Sequence, residues 1–363
     1  MPDKNALRLL LFAGMQITLA ATVRSASVRY KDATFDSVSV TSNIHYGSNT
    51  SATGATENLL LDIYQPFGDT AKTRPLLIFV HGGGFSGGTK SDGDIVLLCR
   101  TFAKKGYVTS SIGYRLDPAP TTKTTMGKAV IRAVQDGKAA VRFLRANRAD
   151  YRIDDTKIMM GGTSAGGVLS LDYAYLDAHE LPAFIDTNAM GSMEGKSGTP
   201  GVSSAINGII NCWGGVSDSA ILLDGKLPVL SFHGTADNTV PYDIGIALNN
   251  PDLVTFGSAC VHRVLTRMGV KSQLKPFVGM GHGWPSDARA DTIITLSTQF
   301  IYDVLFDKGS TGILPAGGGA KANRNAGRRS PGPGRTWLVN GKSRKPAYGG
   351  HATYRLTAPA LRL

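Results

Sequence analysis

Four short segments hold residue types that together could transfer an acyl group. The first is Gly162-Thr163-Ser164-Ala165-Gly166, followed by Gly167. It lies between a short apolar run, Lys157 to Met160, and a segment of helical pattern from Ala165 to about Ala178. A serine on a sharp strand-to-helix turn has its hydroxyl pushed clear of the sheet. The residues two before and two after it must be tiny, because the strand and helix backbones nearly touch. Gly162 and Gly166 meet that need. Alone, the pattern is weak, since glycine and serine crowd ordinary loops.

The second segment is His81-Gly82-Gly83-Gly84-Phe85, directly after the apolar run Leu76 to Val80. Consecutive glycines let backbone N–H groups converge on one point, as a developing oxyanion requires. No Gly-Lys-Ser/Thr follows, which excludes a phosphate-binding P-loop. His81 reads as a loop-orienting residue rather than a proton carrier. The third segment is Phe232 to Asp237, where an apolar strand gives way to a loop carrying Asp237. The fourth, Gly279 to Trp284, places His282 between glycines, again just past a strand. An isolated aspartate or histidine of this kind is ordinarily a turn or surface residue. The other histidines, His45, His179, His262 and His351, lack such a context.

The combination carries the inference. Ser164, Asp237 and His282 follow one another in the order serine, acid, histidine, each beyond the C-terminal end of a strand. That order distinguishes the α/β-hydrolase arrangement from the chymotrypsin and subtilisin ones. On these motifs the chain, over about residues 55–306, resembles α/β-hydrolase-fold serine esterases with an H-G-G-G loop, as in hormone-sensitive-lipase-like bacterial carboxylesterases and related secreted esterases. It departs from that pattern at its N-terminus, where those enzymes carry a helical cap and this chain is strand-like. The resemblance implies Ser164 as nucleophile, His282 as base, Asp237 as acid, and the N–H groups of Gly83, Gly84 and Ala165 as the oxyanion hole. It implies acyl transfer through an acyl-enzyme, with no metal or organic cofactor.

The substrate stays open among short-chain esters, acetylated or feruloylated sugars and polyesters. Residues 181–203 lack periodicity and are long for a connection, which marks them as a site-covering loop. Phe184, Met190 and Met193 in that loop, with Phe85 and Trp284, are the expected pocket residues. Two rival readings stand beside the esterase. A prolyl-oligopeptidase-like peptidase uses the same triad order, but no room exists here for the propeller or cap such enzymes carry. A non-catalytic binding protein on the same fold would ordinarily have lost the nucleophile or the base.

Strand-like and helix-like segments alternate around these motifs, which predicts a mostly parallel, doubly wound sheet in a single α/β domain. Strands are expected at Leu59–Tyr64, Leu76–Val80, Tyr107–Tyr114, Lys157–Met160, Ile206–Cys212, Val229–Phe232 and Ser272–Val278. Helices are expected at Asp92–Lys105, Lys128–Arg148, Ala165–Ala178, Cys260–Met268 and Thr292–Leu305.

Composition agrees with a core-forming body: of 363 residues, 42% are apolar and 18% charged. The net charge of +12 would suggest nucleic acid, but residues 1–307 hold 28 basic and 27 acidic side chains, while 308–363 hold 11 basic and no acidic ones. No nucleic-acid partner is therefore expected. Residues 1–27 show the basic start (Lys4, Arg8), short apolar stretch and small residues of a secretory signal, predicting a secreted or periplasmic protein without a membrane span after cleavage. The catalytic body is expected over 28–307. The Gly-, Pro- and Arg-rich tail over 308–363 is expected to be disordered and dispensable. Cys99, Cys212 and Cys260 would allow one disulfide in an oxidising compartment, without indicating the pair.

Overall fold

The structure is a computed structural model and describes residues 27–118 and 120–307. The segment read as a signal, up to residue 26, and the tail over 308–363 lie outside the described residues. The elements run β1 (Val38–Thr50), β2 (Thr56–Pro66), β3 (Arg74–Val80), α1 (Gly93–Lys104), β4 (Val108–Ile112), α2 (Lys123–Ala146) and the single turn α3 (Arg148–Tyr151). They continue through β5 (Ile153–Thr163), α4 (Ala165–Tyr175), the single turn α5 (Thr187–Met190), β6 (Ile209–Cys212), β7 (Gly215–Val216) and β8 (Val229–Gly234). The last are β9 (Ile244–Ile246), β10 (Val254–Gly257), α6 (Ser258–Arg267), β11 (Ser272–Phe277) and α7 (Arg289–Phe306).

Eight strands make one sheet in the order β1-β2-β4-β3-β5-β6-β8-β11. The two pairings made by β2, with β1 and β4, are antiparallel, and all pairings from β4 to β11 are parallel. β3 explains why the sheet is covered twice. All seven of its residues are buried. Because side chains alternate across a strand, Leu76, Ile78 and Val80 enter one core while Leu77 and Phe79 enter the other. On the first side lie apolar residues of α2, α4 and α6, such as Val134, Leu169 and Val261. On the second lie those of α1 and α7, such as Leu98, Phe102 and Phe300. The doubly wound α/β class expected from the sequence is the observed one.

Three differences from the expected elements have local causes. Helix α2 starts at Lys123 rather than Lys128, because Thr122 and Thr125 form a reciprocal capping box. β1 is a thirteen-residue strand made largely of Ser, Thr and Asn, exposed along most of its length. Its hydrophobic alternation is erased by register shifts at Thr41/Ile44 and His45/Gly47. A second, three-stranded sheet, β7-β10-β9, was not expected. Its strands are two to four residues long and β9 exposes Ile244 and Ile246, so neither length nor burial pattern betrays it.

The turn that carries Ser164 is packed backbone against backbone. A Cβ on Gly166 would stand 2.1 Å from the Val80 carbonyl oxygen, and one on Gly162 would stand 2.4 Å from the Gly166 carbonyl carbon. Both clashes are with backbone, which has nowhere to go. Gly166→Ala should therefore lower stability by about 3 kcal/mol or more, or prevent folding. A melting curve matching that of the parent protein would contradict this account of the turn.

Candidate active site

Ser164 follows β5 and precedes α4 with φ 53° and ψ −117°, a conformation that costs free energy in any residue with a side chain. Its own N–H donates to the Cys212 carbonyl at 2.9 Å, which pins the turn to β6. Its hydroxyl lies 2.8 Å from His282 Nε2, and His282 Nδ1 lies 2.7 Å from Asp237 Oδ2. A carboxylate only accepts, so Nδ1 carries the proton and the Nε2 lone pair faces the serine hydroxyl. The three residues of the sequence-derived triad thus form one continuous hydrogen-bonded line at the C-terminal edge of the sheet, where open α/β sheets place their sites.

The loops after β8 and β11 are clasped to each other, and that fixes the acid against the histidine. Thr235 N–H donates to Phe277 O, Ala236 N–H to Met280 O, and Gly279 N–H to Thr235 Oγ1. Gly234 has to be glycine, since a Cβ there would lie 2.2 Å from Met280 O. Asp237 Oδ1 accepts from Thr239 and Val240 N–H at 2.8 and 3.0 Å. Burial pushes the Asp237 carboxyl up, but hydrogen bonds from His233 and His282, the His282 charge and the Thr239 N–H together hold it well below the usual carboxylate range. It is thus an anion held against the His282 imidazole.

His233 is a site residue that sequence reasoning passed over. It is fully buried, with Nε2 3.2 Å from Asp237 Oδ2 and 3.0 Å from Val240 O. Its Nδ1 lies 2.7 Å from Ser258 Oγ, which also accepts from Asn211 Nδ2 at 2.9 Å. With Nε2 facing acceptors, the proton sits there and Nδ1 accepts from the Ser258 hydroxyl. The buried chain Asn211–Ser258–His233 thereby steadies the acid from behind. The only signal in the sequence was a histidine four residues before Asp237 on an apolar strand.

The glycine loop packs directly against Ser164: a Cβ on Gly82 would lie 3.2 Å from the Ser164 Cβ. Gly83 (φ 104°), Gly84 (φ 61°) and Phe85 (φ 61°) all lie in the left-handed region. A Cβ on Gly83 would meet Gly87 O at 2.1 Å. His81 is buried, stacks on Tyr114 with centroids 4.3 Å apart, and sits 2.8 Å from Gly82 O through Nδ1. Tyr114 Oη in turn donates to His81 O at 3.1 Å. Burial pushes the His81 imidazole down, which keeps it neutral.

A cavity of about 360 Å³ opens at Ser164. Gly84, Phe85 and Ala165 border it, whereas Gly83 stands back at the turn of its loop. Val254 of β10 and Leu248 of the β9–β10 connection contribute to the wall, and the stretch after α4 contributes Leu181, Phe184 and Ile185. Three expected pocket residues are elsewhere. Met193 is buried in the core beside α2. Met190 borders a different, polar cavity with Arg115 and Arg132. The cause is α2: Gln135 Nε2 donates to Met190 O and Ser192 O, and Arg142 donates to Glu194 O and Ser197 O. These bonds draw residues 190–197 onto α2 and leave only the first part of the 181–203 loop over the site. Trp284 packs edge-on against buried Trp213, with centroids 5.9 Å apart, and joins the second core instead of the cavity. Phe184→Ala should therefore change acyl-length preference, while Met193→Ala should lower stability with the preference intact. Initial rates on a ladder of p-nitrophenyl esters check both.

Among the described residues one grouping offers three potential metal ligands, His179, Glu180 and Asp224, with atoms within 4.8 Å of one another. Two of the three are exposed, and the Ser164–His282–Asp237 line does not involve them. Cys99, Cys212 and Cys260 are all buried free thiols, so none of the pairings open to the sequence is formed.

This sheet, with Ser164 on the turn after β5 and Asp237 and His282 on the loops after β8 and β11, is the α/β-hydrolase fold. A protein-family model described as BD-FAE matches residues 61–219. Esterase 2 of Thermogutta terrifontis, solved as the enzyme phosphorylated by paraoxon, superposes with a TM-score of 0.54 at 24% identity, covering 72% of this chain and 95% of that one. The propionate-bound form of the same esterase gives 0.53 at 23% identity, covering 76% and 96%. Esterase LipC of Mycobacterium tuberculosis is 34% identical over 135 residues, which are 36% of this chain and 31% of LipC. The match thus spans about a third of the length of that relative.

Proposed function

We propose that this protein is a secreted or periplasmic serine carboxylic-ester hydrolase. The observation that carries the reading is the hydrogen-bonded line Ser164–His282–Asp237 at the mouth of a largely apolar cavity. The similarity to esterases supports it. Ser164 Oγ attacks the ester carbonyl as His282 Nε2 takes its proton. Asp237 holds the imidazole in the required tautomer and stabilises the imidazolium. The oxyanion is received by the N–H groups of Gly84 and Ala165, with Gly83 completing the loop; losing one such donor typically costs about a hundredfold or more. The alcohol departs with the proton from His282. Water, deprotonated by the same imidazole, then releases the acid from the acyl-enzyme. The apolar stretch and small residues within 1–27 motivate the assignment to the secretory route.

The test uses a short p-nitrophenyl ester, an aminoacyl p-nitroanilide and paraoxon. The reading expects turnover of the ester, little or none of the anilide, and a mass increment on Ser164 after paraoxon treatment. Preference for the anilide would assign the site to a peptidase. No turnover and no labelling would make the fold a binding scaffold.

A further inference from the structure

The cavity at Ser164 runs along one face of α4. Ser164, Val168, Asp172 and Leu176, spaced four residues apart, all border it. Asp172 therefore stands two helical turns below the nucleophile, about 12 Å along the axis. It is 2% exposed, and its Oδ1 is buried without a hydrogen-bond partner among the described residues. The cavity is also bordered by the apolar side chains of Val130 and Ile131 of α2 and of Ile185. The other charged groups bordering the cavity are Lys123, Glu180, Asp218 and Asp252, and none of them forms an ion pair with Asp172.

A buried carboxyl without a partner is costly, and native proteins rarely tolerate one. Helix packing does not require it, since a leucine would fill the same place. We propose that Asp172 is a specificity-determining residue that reads a hydroxyl group on the part of the substrate filling this cavity, so that the substrates are esters bearing a hydroxyl well removed from the carbonyl rather than plain alkyl esters. This rests on the esterase reading given above. The chemistry favours a hydroxyl over an ammonium. Burial pushes the Asp172 carboxyl up to about 8, so at neutral pH it keeps its proton and offers one donor and one acceptor. A hydroxyl complements both. An apolar chain tip would seal the carboxyl from water and leave it unpaired, and sites of this kind discriminate against analogues lacking the polar group.

Two substrate series locate the effect, because either the acyl or the alcohol portion could fill the cavity. One compares p-nitrophenyl ω-hydroxyalkanoates with the unsubstituted alkanoates from hexanoate to decanoate. The other compares monoacetates of α,ω-diols with acetates of the matching n-alkanols. In one series, at one chain length, kcat/KM should favour the hydroxylated member about tenfold or more. Asp172→Leu should invert that ratio, raising the rate on the plain ester and lowering it on the hydroxylated one. Asp172→Asn, which keeps a donor and an acceptor, should retain part of the preference. Equal rates within both series, or a ratio unchanged in Asp172→Leu, would overturn the proposal, as would a stronger preference for an ω-ammonio ester. Absence of turnover on every ester would instead overturn the esterase reading.

Discussion

Ser164→Ala should reduce ester hydrolysis by about 10⁴-fold or more while leaving the fold intact. In the proposed mechanism the hydroxyl forms the acyl-enzyme, and neither the imidazole 2.8 Å away nor the glycine loop could take its place, so the loss is large. The fold should survive because, among the described residues, the Ser164 hydroxyl bonds only to His282, which is itself partly exposed. The strained backbone is held by other means, namely the Ser164 N–H to Cys212 O and the Val168 N–H to Ser164 O bonds. Alanine keeps both. The measurement is kcat/KM on a short p-nitrophenyl ester together with a melting curve. Activity at a tenth of the parent level with an unchanged Tm would remove Ser164 from the nucleophile role. Paraoxon labelling at another residue would identify its replacement.

Why the three residues of the Ser164–His282–Asp237 line could be picked from the sequence, and the cavity could not, is a matter of range. Each of these positions carries a local signature imposed by backbone geometry. Gly162 and Gly166 exist because Val80 O and the start of α4 leave no space for a Cβ, and Gly234 because Met280 O does the same. Such constraints act over a few residues and appear as glycines beside a Ser, Asp or His. Buried strands such as β3 are equally legible, since the five consecutive apolar residues Leu76 to Val80 face two cores in alternation. The cavity wall is set by long-range bonds instead. Nothing near Met193 in sequence says that Arg142 and Gln135, some fifty residues earlier, will fasten that segment to α2. The β9–β10 flap is made by cross-strand pairing of Val254 with Ile246 and Phe256 with Ile244, between strands too short for periodicity to register. Asp172 and His233 were hidden differently. Each is a polar residue within a regular element, and its significance appears only when its partners, or their absence, can be seen.

Asp172→Asn should raise thermal stability, and the gain should grow with pH. The sign follows from where the carboxyl keeps its proton. Burial raises it from 3.8 to about 8 in the folded protein. Below about pH 4 both folded and unfolded chains carry the proton, and the group adds no pH-dependent term. Between about 4 and 8 the unfolded chain ionises while the folded chain does not. The folded state then binds more protons, so stability falls as pH rises. Above about 8 the cost is complete. At pH 7 it is on the order of 4 kcal/mol, from about 1.4 kcal/mol per pH unit over the interval. An asparagine amide in the same place leaves comparable polar atoms unpaired but has no ionisation to suppress, so the two proteins differ by that linkage alone. A domain of this size gains roughly 2 °C per kcal/mol, which places the Tm difference at roughly 5–10 °C at neutral pH and near zero at pH 4. Melting curves of both proteins at pH 4, 6 and 8 decide the matter; parallel curves would mean that Asp172 has a partner for its charge. A widening gap would show that the body carries a stability cost at this position, which is how residues retained for recognition rather than packing behave.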